Sequence, residues 1–268
     1  MNALLPGLLS MALYLLASGL LLVRLAHGTR PARPTPGYAI LAALAGILAH
    51  AVLLYPSIIT PLGLNLGFVH AASLIALTSA ALLAISAIFQ PVGNLGVAIF
   101  PVAAISIALL LAYPGERLVT PASWQLELHI IASLLAYSIL GIAVLQAILL
   151  SIQDRNLRNR QPGGFIRALP PLAVMESLLF QMIATGFALL TLALLTGFLF
   201  LEDIFAQHLV HKTTLSIIAW IVFGILLWGR VRFGWRGRTA LRWTIGGFVF
   251  LMLAYFGSKF VLELVLTG

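Results

Sequence analysis

The 268 residues are 62% hydrophobic and only 8% charged, too few charged groups to cover a soluble domain of this length, so the chain reads as a polytopic membrane protein. The formal charge of +8 does not point to nucleic acid, because in this class basic residues record topology. With no cysteine, disulfides, thiol redox chemistry, iron–sulfur ligation and covalent heme attachment through C-x-x-C-H are all excluded.

Spanning a hydrocarbon core of about 30 Å takes roughly 20 apolar helical residues. The first such run, Ala3–Val23, has no Lys or Arg before it and is too long for the core of a secretory signal, so a retained helix is expected. Span two, Gly37–Tyr55, carries His50 five residues before its end, which places it roughly 8 Å deep. His70 opens span three, Phe68–Phe89, and span four follows at Leu95–Tyr113. Span five, Leu128–Ile152, opens on His129, and span six is Leu178–Leu201. "QHLVHK" then brings His208, His211 and Lys212 to the mouth of span seven, Thr213–Trp228, which is short and is expected to begin inside that stretch. Span eight, Thr244–Leu266, contains Lys259. Helices are the default for all eight, since backbone groups in lipid must be satisfied within their own segment, and the alternation of a membrane β-barrel is absent.

The connections sort by charge. Arg24, Arg30 and Arg33 lie between spans one and two, and Arg155, Arg158, Arg160 and Arg167 between five and six. Arg230, Arg232, Arg236, Arg238 and Arg242 lie between seven and eight, so these three loops hold twelve of the 15 basic residues. The positive-inside rule makes their side cytoplasmic, where they lie against anionic headgroups, and puts both termini outside. The fold class is therefore an all-α integral membrane protein of about eight spans, forming a single polytopic domain of residues 1–268.

In this orientation His27 is cytoplasmic and the other five histidines fall on the outer half. Ionisable residues in membrane segments usually face the bundle interior or an aqueous cavity. A neutral imidazole keeps that cost low and is the form that ligates iron. The ordinary alternative for each is a packed histidine that hydrogen-bonds a neighbour. Arg117, Lys212 and Lys259 are the outer basic residues, and they suit the propionates of a flat apolar ligand such as heme, although Lys259 is also placed to pair with Glu263 at i, i+4. Zinc at His208 and His211 would need a third ligand from Glu202 or Asp203, and that spacing is unspecific. No nucleophile elbow, H-E-x-x-H or P-loop occurs.

The pieces "HIIASLLAYSILGIAVLQAILL", "LPPLAVMESLLFQMIATGFALLTLALLTG", "HKTTLSIIAWIVFGILLWG", "GWRGRTALRW" and "AYFGSKFVLEL", in this order, resemble the cytochrome c assembly family of CcsA/CcmC-like heme-handling proteins, and within it the HemX/YpjD branch. The resemblance covers about Trp124 to Leu266, while spans one to four, in residues 1–120, share only helix count and hydropathy with it. It implies heme b ligated by histidines at the outer face, with His129 at the position of the first external heme-ligating histidine. Two departures accompany it. "AQHLVHKTT" stands where relatives with synthetase activity carry a tryptophan-rich segment ending in W-D, which puts His211 near the family's Asp, and "SKFVLELVLTG" has no histidine where relatives keep their second external one.

His129 and His211 begin spans at one outer level and could approach one heme from opposite faces, while His50 and His70 are an alternative pair or supply one ligand each. The expectation is an inner-membrane protein that binds heme b near the periplasmic surface and acts in heme handling or in assembly of cytochromes or another membrane complex, without enzymatic activity. Its expected partners are heme, membrane lipid and other membrane assembly proteins, and not nucleic acid. A permease-like transporter subunit for a small substrate is a different reading, against which stands the lack of a clear inverted repeat or of paired broken spans with central charges. A structural subunit without a ligand is the third.

Overall fold

The computed structural model describes residues 3–26, 35–61, 63–113, 118–119, 124–160, 163–200 and 207–257, with backbone alone at 118–119, 200 and 207–211. Its helices are α1 (Leu4–Ala26), α2 (Gly37–Ile58), α3 (Phe68–Phe89), α4 (Gly96–Ala112), α5 (Trp124–Arg158), α6 (Leu172–Phe200), α7 (Gln207–Phe233) and α8 (Arg238–Met252), the last followed by a π-helical turn, Leu253–Gly257. Among the described residues eight helices are long and apolar enough to cross a membrane.

Several helices outrun the apolar segments that announce them. The 35 residues of α5 rise about 52 Å, well past a hydrocarbon core of about 30 Å. Arg155 and Arg158 therefore sit in its last turn rather than in a loop, as Arg230 and Arg232 do in α7. Hydropathy marks only the length immersed in lipid. Arginine is a good helix former, and basic side chains favour the negative end of the helix dipole, so the helix continues into water. The connection between α7 and α8 shrinks to residues 234–237. Gly237 there has φ 58° and ψ −126°, a region open essentially only to glycine, and a Cβ would meet no neighbouring atom. Gly237→Ala is expected to cost about 1–3 kcal/mol from backbone strain alone, read as a lowered unfolding temperature in detergent.

The chain divides into two compact units. The first comprises residues 1–120 and 152–175, the second residues 121–151 and 176–268. In the first, α1 buries Gly7, Ser10, Tyr14, Ala17, Leu21 and Leu25, in steps of three or four along one stripe. The other helices repeat that spacing with Ala39, Ala43, Gly46, His50 and Leu53 on α2, Ser73, Ala76, Ala80 and Leu83 on α3, and Ala103, Ser106 and Leu110 on α4. Small residues on these faces let the backbones approach closely, which is how helices gain packing energy in lipid. At Gly46 a Cβ would lie 3.2 Å from the Tyr14 ring, and the Ser10 hydroxyl donates 2.8 Å to the Gly46 carbonyl across the same crossing. Pro101 inside α4 has no N–H for the Val97 carbonyl, and Ser18 of α1 satisfies that carbonyl instead at 3.1 Å. A small sheet closes one end of this unit: β1 (Ile59–Thr60) pairs antiparallel with β2 (Gly63–Asn65), and β2 with β3 (Leu118–Val119). The α2–α3 and α4–α5 connections thus meet at the same end.

In the second unit Leu140 of α5 packs over Gly186 of α6, where a Cβ would lie 2.6 Å from the Leu140 side chain. Phe187 of α6 stacks on Trp220 of α7 at 5.5 Å. Tyr137 of α5 donates 2.6 Å to the Leu251 carbonyl at the head of the π turn. Glu176, at the start of α6, pairs with Arg230, near the end of α7; their side chains are 11% and 35% exposed. The Arg230 guanidinium also lies 4.6 Å from the Phe180 ring centre and donates 3.3 Å to the Trp235 carbonyl. Arg230→Gln would leave a nearly buried carboxylate without its cation. A loss of about 2 kcal/mol is expected, discounted from the fully buried case because the arginine is one-third exposed. Unfolding by titrated SDS would read it.

Candidate functional site

α2 continues to Ile58, three residues past its expected end, so His50 lies about 12 Å along the helix from its terminus rather than roughly 8 Å. His50 is fully buried, with Nδ1 3.3 Å from the Tyr14 hydroxyl and Nε2 2.9 Å from the Ser73 hydroxyl. Ser73 in turn lies 3.4 Å from Ser106, whose hydroxyl donates 2.8 Å to the Ala103 carbonyl. One assignment of hydrogens satisfies every one of these contacts. The Ser106 proton is committed to a carbonyl, so Ser73 donates to Ser106, His50 Nε2–H donates to Ser73, and Tyr14 donates to His50 Nδ1. The result is a single directed chain across α1, α2, α3 and α4. Both ring nitrogens of His50 are engaged in it.

His70, three residues before Ser73 on α3, is 4% exposed. The Asn65 carboxamide oxygen accepts the Gly67 N–H at 3.2 Å, which turns the amide nitrogen toward His70 Nε2 at 3.4 Å. Asn65, in β2, thereby ties the small sheet to the first turn of α3.

His129 is held differently. It sits in the second turn of α5, part-exposed, with Nδ1 2.8 Å from the Ala193 carbonyl of α6. A carbonyl can only accept, so Nδ1 carries the proton and Nε2 carries the lone pair. Thr196, one turn on, reinforces this end, with its hydroxyl oxygen 3.4 Å from Nδ1 while it donates to Leu192 and Ala193. No described residue hydrogen-bonds Nε2. An imidazole with one N–H fixed on a backbone carbonyl and the opposite lone pair open is the form in which histidine ligates metal, since the outer hydrogen bond sets both tautomer and ring orientation. In this form His129 could hold a metal such as a heme iron.

α7 begins at Gln207, so the quoted stretch is helical from its first residue, with His208 and His211 in the first turns and Lys212, half-buried, directly after them. The side chains of His208 and His211 lie outside the described residues, as do Arg117, Lys259, His27, Glu202 and Asp203, so the zinc alternative at the mouth of α7 falls there too. Among the described residues no group of three or more His, Asp or Glu comes together. Tyr14, Ser73, Ser106, Asn65 and Thr196 are functional or supporting residues that sequence reading passed over. Hydroxyls at core spacing in an apolar helix were the available signal, most plainly Ser73 one turn after His70.

The model of the cytochrome C assembly protein family matches residues 38–266, reaching further into the first half than the stretch from Trp124 on which the resemblance was read. Inner membrane protein YpjD of Escherichia coli K12 is 34% identical over 230 residues, 85% of this chain and 87% of that protein. A 28.8 kDa protein of Azospirillum brasilense is 34% identical over 155 residues, 57% of each chain. Cytochrome c biogenesis protein CcsA of Prochlorococcus marinus is 29% identical over 107 residues, 39% of this chain and 33% of that one. No solved structure matches. With eight candidate spans and a family match running over most of its length, the chain is a multi-pass inner-membrane protein and belongs to the cytochrome c assembly family.

Proposed function

We propose that this protein binds heme b through His129 and serves heme handling, or the assembly of cytochromes or another membrane complex, without itself being an enzyme. The observation that carries the reading is the His129 ring: its Nδ1 proton is fixed on Ala193 and its Nε2 lone pair is open. His211, at the head of α7, is the proposed opposite ligand, and Lys212, with Lys259 and Arg117, the proposed partners of the propionates. His50 and His70 then serve the interior of the first unit, while the proposed iron ligands both come from the second, residues 121–151 and 176–268 of the single polytopic chain. The basic ends of α5 and α7 support a cytoplasmic side for those ends by the positive-inside rule, and with it a periplasmic side for both termini and His129. Bound heme would supply an iron that two neutral imidazoles can saturate, leaving no open position for oxygen chemistry. Ala193 and Thr196 orient His129.

The test is an absorption spectrum of the detergent-purified protein, first oxidised and then reduced. A Soret band with b-type bands on reduction is expected, and Trp228→Phe should leave it unchanged, because Trp228 lies near the far end of α7 from His211. Protein that is colourless from heme-replete cells and unaltered by added hemin would overturn the reading.

A further inference from the structure

The turn between α7 and α8 gathers five of the chain's arginines within 13 residues, from Arg230 to Arg242, with no acidic residue among them. Arg230 is spent inward on Glu176, Phe180 and the Trp235 carbonyl. Arg232, Arg236, Arg238 and Arg242 are exposed and form no ion pair among the described residues. Arg238 and Arg242 stand at i, i+4 on α8, an arrangement of like charges that disfavours the helix unless an anion lies between them. The arginines share their surface with an aromatic run: Trp228 on Phe233 at 5.2 Å, Phe233 on Trp235 at 6.3 Å, and Trp235 on Trp243 at 5.4 Å. Trp228, Val231 and Phe233 are 61%, 88% and 60% exposed. Two glycines with positive φ, Gly234 and Gly237, fold the chain back so that both helix ends contribute to one surface.

We propose that this surface is a docking site for anionic phospholipid, whose phosphate oxygens accept from the guanidiniums of Arg232, Arg236, Arg238 and Arg242 while Trp228, Val231 and Phe233 lie against the start of its acyl chains. Charge complementarity names the occupant. Exposed tryptophan at the end of a spanning helix marks headgroup depth, where the available anion is lipid phosphate. Every cation here is arginine, whose planar fork binds phosphate through paired hydrogen bonds that lysine cannot make. Four guanidiniums are answered best by a headgroup with two phosphates, so diphosphatidylglycerol should bind ahead of phosphatidylglycerol, and phosphatidylcholine least. The Glu176–Arg230 pair acts as an internal brace that holds the turn without occupying the outer arginines.

Native mass spectrometry of the purified protein with each lipid added, alongside its unfolding temperature, tests this. Wild-type protein should retain diphosphatidylglycerol preferentially and unfold several degrees higher with it, and inorganic phosphate should have no such effect. Replacing all four outer arginines by glutamine should weaken retention about tenfold or more, and the corresponding four-lysine variant should fall between, since it keeps the charge but not the fork. Arg155→Gln with Arg160→Gln, on the other basic segment, should lower retention far less than the four-glutamine variant does. Equal retention of phosphatidylcholine and diphosphatidylglycerol by the wild type would overturn the proposal. So would undiminished retention by a glutamine variant that unfolds in phosphatidylcholine at the wild-type temperature, or an equal shift from inorganic phosphate.

Discussion

His129→Ala is expected to weaken hemin binding roughly 100-fold and to strip the b-type Soret band from protein purified without added hemin. The expectation follows from the ring's two ends. Alanine removes the open Nε2, the only ring nitrogen in His129 not committed to the protein. Removing the imidazole costs the fold little by comparison, because the side chain is part-exposed and the Ala193 carbonyl it leaves behind still accepts the Thr196 hydroxyl at 3.0 Å. Unfolding temperature should therefore change far less than the spectrum. His129→Gln separates the two roles further: its amide can donate to the Ala193 carbonyl but offers iron no imidazole. A variant that folds and still binds hemin with wild-type affinity and spectrum would remove His129 from the site.

His50→Ala should produce the opposite pattern. Its imidazole is the middle link between Tyr14 and Ser73, and all three side chains are fully buried. Alanine opens a cavity among four helices and strands the Tyr14 hydroxyl, whose proton loses its acceptor, while Ser73 keeps its bond to Ser106 and loses only the proton it accepts. Together these cost about 2–4 kcal/mol, toward the lower end because single hydrogen bonds between membrane helices are worth less than 1 kcal/mol on average. Titration with SDS should show early unfolding, and hemin binding by the folded fraction should persist. His50→Gln, which can both donate and accept, should recover part of the loss. If His50→Ala kept full stability and lost the Soret band, the directed chain would be the wrong account of this residue and His50 would be a ligand.

These two histidines look alike in the sequence. Each stands in or beside an apolar run, with alanine and leucine around it, and nothing within four residues announces its partner. The period of small residues on α1 to α4 was legible in retrospect, since Gly7, Ser10, Tyr14, Ala17 and Leu21 repeat at core spacing before any fold is known. The arginine clusters were legible as a topological signal. Their structural form was not: Arg155, Arg158, Arg230 and Arg232 continue their helices, because helix propensity does not end where lipid does.

Membrane class, eight helices and the family all follow from sequence because each has a local cause. A segment in lipid must satisfy its own backbone, so apolar length alone decides that it is a helix and how much of it is immersed. The state of a histidine has no local cause. His129 meets a carbonyl 64 residues away, His50 a phenol 36 residues away and a serine 23 residues away. Only helix packing determines that the first ring keeps a lone pair and the second spends both nitrogens.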